Sequence, residues 1–178
     1  KGDTPMRLSE ILNAELEAGS KSLILDLRSN PGGYLQQVFD IANMFLDNGI
    51  ILLEERQNEN MTWQASGGGF ASNLPMVVLV NKYSASGSEI LMGAFQDNNR
   101  ATVIGEQTFG KGTVNVFRKL SNGGGLYMSV GRWYTPNKRP IEGEGLTPDI
   151  LVTSRDSKEA DIKQIDAAYE EINKLLND

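Results

Sequence analysis

Apolar positions along this chain recur with two different periods. From Leu8 to Ala18, residues Leu8, Ile11, Leu12, Glu15 and Leu16 fall at helical spacing, and Gly19 stands where a helix would stop. Leu35–Leu46 repeats the pattern, with Leu35, Val38, Phe39, Ala42, Met44 and Phe45 mostly on one side and Asn48-Gly49 closing it. Further helices are predicted over Ser88–Asp97 and Ser157–Asn177. In the last, Ile162, Ile165, Ala168, Ile172 and Leu175 are expected to form the packing face. Between the helices lie short apolar runs at Ser22–Arg28, Ile50–Arg56, Leu74–Asn81 and Ala101–Glu106, each read as a strand. Met61–Ser66 reads as the hairpin partner of Ile50–Arg56. Thr113–Leu120 and Leu126–Tyr134 read as a second hairpin around the glycine-rich turn 121–125.

Strand, helix and strand alternate and then give way to a hairpin, which predicts a layered α/β architecture with short crossovers. The loops richest in Gly and Ser follow the apolar strands ending near Arg28, Asn81 and Glu106. In such folds binding sites gather beyond the carboxyl ends of the strands, so these three loops are the places to look for chemistry. No internal repeat or low-complexity tail interrupts the pattern.

Composition narrows that chemistry. The 178 residues, 39% of them hydrophobic, suffice for one domain with a sizeable core, and the expectation is a single domain over 1–178. Because the chain begins at Lys1, it reads as part of a longer protein, and the lack of a leader carries no weight. A net charge of −6 argues against a nucleic-acid partner, which needs a clustered basic surface. With no Cys, thiol nucleophiles and thiolate metal sites are excluded; with no His, the commonest general base near neutral pH is missing. No cofactor or metal is expected. A hydrolase built from this chain must draw on Lys, Asp, Glu, Tyr or a metal.

Three segments could carry such chemistry. In Ser84-Ala85-Ser86-Gly87-Ser88-Glu89-Ile90 a serine sits between a buried strand and a helix, where unpaired N–H groups and the helix dipole favour a developing negative charge. An ordinary helix cap, at Ser84 or Ser88, explains the same serines. In Gly105-Glu106-Gln107-Thr108-Phe109-Gly110-Lys111-Gly112-Thr113 a lysine lies between two glycines. Once neutral, its amine can accept a serine proton; a solvated turn lysine is the plainer reading. A phosphate loop is disfavoured, because Gly112 stands where Ser or Thr must follow the lysine. In Asn30-Pro31-Gly32-Gly33 the glycines allow backbone N–H groups to point into a cleft as an oxyanion hole would, or simply form a strand-to-helix turn. Asp26 and Arg28 are read as structural ion-pair partners, and the acids of the last helix as a solvated face.

Together, LILDLRSNPGG, NKYSASGSEILMGAFQDNNRATVIGEQTFGKGTV and RPIEGEGLTPDI resemble the C-terminal processing peptidases, or tail-specific proteases, over roughly Ala14–Val152. The separation of 25 positions from Ser86 to Lys111 is the family's spacing of nucleophile and base. The resemblance implies the Clp-protease/crotonase-like β-β-α superhelix and a serine endopeptidase that cleaves proteins near their C-termini. It implies Ser86 as nucleophile, Lys111 as base, and an oxyanion hole from the N–H of Gly87 with that of Gly32 or Gly33. The family usually has Gln four residues after the lysine to orient the amine; here that residue is Asn115, one methylene shorter. Gly87 replaces the commoner Ala. The resemblance also implies protein or peptide substrates, an exported location (periplasmic, extracytoplasmic or membrane-associated) and a tail-binding PDZ domain outside this chain. Two other readings are a weak or inactive peptide-binding homologue and an acyl-CoA hydratase-type enzyme of the same superfamily, which would not need a serine-lysine pair.

Overall fold

The computed structural model describes residues 3–154 and 156–177; the remainder of the expected 1–178 domain lies outside the described residues. Among the described residues twelve elements follow one another. They are α1 (Thr4–Glu17), β1 (Leu23–Asp26), α2 (Leu35–Phe45), β2 (Ile50–Arg56), β3 (Glu59–Gln64), β4 (Met76–Val80), α3 (Gly87–Asp97), β5 (Thr102–Gly105), β6 (Thr113–Lys119), β7 (Gly125–Tyr134), β8 (Ile150–Leu151) and α4 (Ser157–Leu175).

Two sheets organise the chain. The first has the order β1-β4-β5-β8 and is wholly parallel; the second has the order β3-β2-β7-β6 and is antiparallel. β4 is buried along its whole length, as a central parallel strand covered on both faces must be. Its alternate residues divide between two cores. Met76, Val78 and Val80 pack with α2 and α3 through Val38, Phe45, Ile90 and Phe95, while Val77 and Leu79 pack with Ala168 and Ile172 of α4. Ile51 and Leu52 of the second sheet join the first of these cores.

The α/β class and the succession of strands and helices stand as read from the sequence. α1 begins earlier than its apolar period suggested, because Pro5 occupies the first turn, where its missing N–H costs nothing. β8, only two residues long, was not anticipated. The packing face of α4 keeps Ala168 and Ile172 from the expected set but is otherwise shifted. Its buried residues are Ala160, Gln164, Ala168 and Ile172, an i, i+4 row, whereas Ile162 is 62% exposed. In that row Ala168 packs against Val77, Leu79 and Ile104 of the sheet with Ile172 beside it. Among the described residues no helix is long and apolar enough to cross a membrane.

Candidate active site

β1, β4 and β5 run in parallel, so the loops that leave them emerge side by side. Hydrogen bonds stitch the three together. Ala85 N–H donates to Asn30 O (3.0 Å) and Phe109 N–H to Ser84 O (3.0 Å). The Ser84 hydroxyl, fully buried, donates to Leu27 O at 2.8 Å. Asn81 Oδ1 accepts the N–H groups of Ser29 (2.9 Å) and Tyr83 (3.1 Å).

Ser86 is the N-cap of α3, but not an ordinary one. Its φ of 56° and ψ of −114° lie where a residue with a Cβ is strained, whereas N-caps commonly adopt the extended region. Backbone strain of this kind, here at the elbow between β4 and α3, persists only where the surrounding structure holds it, and it recurs at functional sites. Glu89, three residues on, holds it in place. The Glu89 carboxylate has no solvent exposure. Its Oε2 accepts the N–H groups of Ser86 (2.8 Å) and Lys111 (2.9 Å), and its Oε1 accepts Gly110 N–H (2.7 Å) and the Thr108 hydroxyl (2.6 Å). Thr108 Oγ1 in turn accepts Leu146 N–H at 2.8 Å, drawing in the segment before β8. Reading the sequence missed Glu89 as a functional residue. The S-x-x-E spacing from Ser86 was its one local signal.

The glycines after Asn30 approach this elbow closely. A Cβ on Gly32, whose φ is +87°, would lie 2.5 Å from Gly87 N and 2.7 Å from Ala85 O. Gly32 N–H donates to Asn30 Oδ1 (2.9 Å), whereas the N–H groups of Gly33 and Gly87 make no hydrogen bond among the described residues. Those two residues also border a cleft of about 190 Å³ floored by Val38, Ile41 and Leu91. Larger clefts lie away from Ser86: one of about 320 Å³ beside Arg100 and Asp149, another of about 370 Å³ over β2 and β3.

Lys111 is tied to the elbow by its backbone only. Its side chain is exposed, and its ammonium makes no hydrogen bond with Ser86 or any other described residue. Asn115 is turned elsewhere: its Nδ2 donates to Thr113 O (3.2 Å) and Oγ1 (3.1 Å), and its Oδ1 accepts the Ser129 hydroxyl at 2.7 Å. The pairing of Asn115 with Ser129 in β6 and β7 accounts for that direction. Asp26 and Arg28 form the ion pair read from the sequence, at 2.6 Å. The Arg28 guanidinium reaches on to Asp161 O, Asp161 Oδ1 and Gln164 Oε1 of α4, and its hydrogen bond to Asp26 raises its pKa further. Among the described residues no group of three or more acids is gathered as a metal ion would require.

Two sheets with their helices, and loops gathered beyond the parallel strands, define the β-β-α superhelix of the Clp-protease and crotonase type. The chain belongs to Peptidase family S41, which matches residues 1–152. It is 44% identical over 134 residues to a carboxy-terminal-processing protease of Bartonella bacilliformis, covering 74% of this chain and 31% of that protein. To a carboxyl-terminal-processing protease of Synechocystis sp. it is 45% identical over 137 residues, covering 76% and 32%. Its structure superposes on the photosystem II D1 C-terminal processing protease with a TM-score of 0.82 and 31% identity, over 93% of this chain and 43% of that one. The chain thus spans about a third of the length of these curated relatives.

Proposed function

We propose that this chain is the catalytic part of a serine endopeptidase that cleaves protein substrates near their C-termini, with Ser86 as nucleophile and Lys111 as base. One observation carries the reading: the strained Ser86 elbow and the Lys111 backbone hang on the same oxygen of the buried Glu89 carboxylate. In the reaction, Ser86 Oγ attacks the scissile carbonyl while neutral Lys111 takes its proton. The N–H groups of Gly87 and Gly33 receive the oxyanion; Gly32 N–H is already engaged by Asn30. The C–N bond then breaks, the leaving amine takes the proton from Lys111, and an acyl-Ser86 ester remains. Water, deprotonated by Lys111, hydrolyses the ester and restores Ser86. A lysine can act so only when desolvated below its usual pKa of ~10.4.

An exported location, protein or peptide substrates and a PDZ domain elsewhere in the protein belong to the same proposal. The relatives' names, and the two-thirds of their length that lies outside the matched segment, support it. A second reading, a peptide-binding homologue of low activity, is favoured by one observation: Asn115 turns toward Thr113 and Ser129 rather than toward the Lys111 ammonium.

A fluorophosphonate probe separates the two. Labelling of the wild-type protein that is lost in Ser86→Ala, and slowed at least a hundredfold in a folded Lys111→Ala, is expected of the peptidase, with rates that rise with pH. No labelling of the folded full-length protein would favour the binding module.

A further inference from the structure

Three exposed aromatic side chains stand on the three loops that build the site. Tyr34 is 74% exposed, Tyr83 58% and Phe109 63%, whereas Phe45 and Phe95 of the core have no exposure at all. Tyr34 follows Gly33 directly and borders the cleft floored by Val38, Ile41 and Leu91. Tyr83 precedes Ser84, whose carbonyl accepts the N–H of Phe109, so these two aromatics lie on neighbouring strands of loop. Phe109 is two residues before Lys111. Among the described residues neither tyrosine hydroxyl makes a hydrogen bond, and Lys82 Nζ lies 5.3 Å from the centre of the Tyr83 ring.

We infer that Tyr34, Tyr83 and Phe109 form a rim that holds an extended, unfolded polypeptide across Ser86. This rests on the hydrolytic reading above, which fixes how a substrate must lie. Its scissile oxygen points to Gly33 and Gly87, so the acyl side of the chain passes the cleft and Tyr34. The leaving amine faces Lys111, so the other side passes Tyr83 and Phe109. Aromatic rings suit that task. Each offers a large apolar surface with only two side-chain torsions to immobilise, and grips main chain and side chains with little regard to sequence. Binding across the rim therefore selects for an extended chain rather than for particular residues.

The test uses the full-length protein carrying Ser86→Ala and a fluorescein-labelled unstructured peptide of Ala, Leu and Ser, with affinity read by fluorescence anisotropy. Tyr34→Ser, Tyr83→Ser and Phe109→Ser are each expected to weaken binding by about fivefold, and the triple variant by at least about tenfold. The same substitutions with Ser86 intact should leave fluorophosphonate labelling within about twofold, since that small probe does not reach the rim. An unchanged affinity in the triple variant overturns the rim. So does labelling that falls in step with affinity, which would mark a structural role. Weakened peptide binding in a protein whose wild type never labels would overturn the hydrolytic reading and leave the rim standing.

Discussion

The Glu89 carboxylate accepts the backbone N–H of Ser86 at 2.8 Å with the oxygen that accepts the N–H of Lys111 at 2.9 Å. The proposed nucleophile and base are thereby spaced through one buried side chain rather than through any contact of their own. Four donors converge on two oxygens, so the site needs an acceptor on both sides of the group. Glu89→Gln replaces one acceptor by an NH₂ group that must face two donors. The expected result is a folded protein destabilised by about 2–4 kcal/mol, with labelling of Ser86 slowed at least about a hundredfold. Thermal denaturation and labelling rates check the two parts separately. Labelling at the wild-type rate in a folded Glu89→Gln protein would show that the spacing does not depend on this carboxylate.

Gly32 and Gly33 should answer differently to the same substitution. Gly32 has a positive φ, and an added Cβ would press on backbone atoms of residues 85 and 87. Gly32→Ala is expected to cost at least about 2 kcal/mol and to displace the Ser86 elbow. At Gly33 the nearest obstacle is Gln37 Oε1 at 3.6 Å. Gly33→Ala keeps the amide and should stay within about 1 kcal/mol of the wild type. Equal losses in urea denaturation would contradict the close approach of Gly32 to the elbow.

What the sequence disclosed divides along the range of the interactions. The Val77–Val80 run and the helical period of Val38, Phe39, Ala42 and Phe45 are local signals, and the structure uses them as read. The convergence of three loops followed from topology, since parallel strands deliver their ends to one side. Glu89 stayed hidden because its partners Thr108, Gly110 and Lys111 lie 19 to 22 residues downstream. Asn115 stands where the resembled family has its amine-orienting Gln, and its side chain meets Ser129. The register that sets it opposite Ser129 is a property of the folded hairpin, beyond the reach of spacing along one strand. In α4 hydrophobicity itself misled: Gln164 is buried because Val152 O and Arg28 satisfy its amide, while Ile162 and Tyr169 remain outside.

That inversion in α4 makes a contrast in stability. Ala168 has no exposure and packs with Val77, Leu79 and Ile104. Ala168→Leu has nowhere to put three further carbons, and should cost about 1–3 kcal/mol. Ile162→Ser, at a residue 62% exposed, should change stability by less than about 0.5 kcal/mol. Chemical denaturation of both variants decides the matter. A larger loss from Ile162→Ser would place Ile162 on the packing face of α4.

Arg28 links that helix to the site, since it leaves β1 just ahead of the Asn30–Gly33 turn while its guanidinium is held by Asp161 and Gln164. Arg28→Met keeps most of the volume and removes the charge. Asp26 and Asp161 are about half exposed, 46% and 56%, so water screens much of what they lose. The expected cost is about 2 kcal/mol, below the ~3–5 of a fully buried pair. Its pH dependence has a definite sign. The folded-state pKa of Arg28 is raised above the usual arginine value, first by the hydrogen bond to Asp26. Its contribution is therefore complete at every pH below that usual value and is lost only as pH climbs through the higher, folded-state one. The difference between wild type and Arg28→Met should accordingly be the same at pH 6 and pH 9 in urea denaturation. A difference that faded by pH 9 would mean that a group other than the guanidinium binds α4 to the loop.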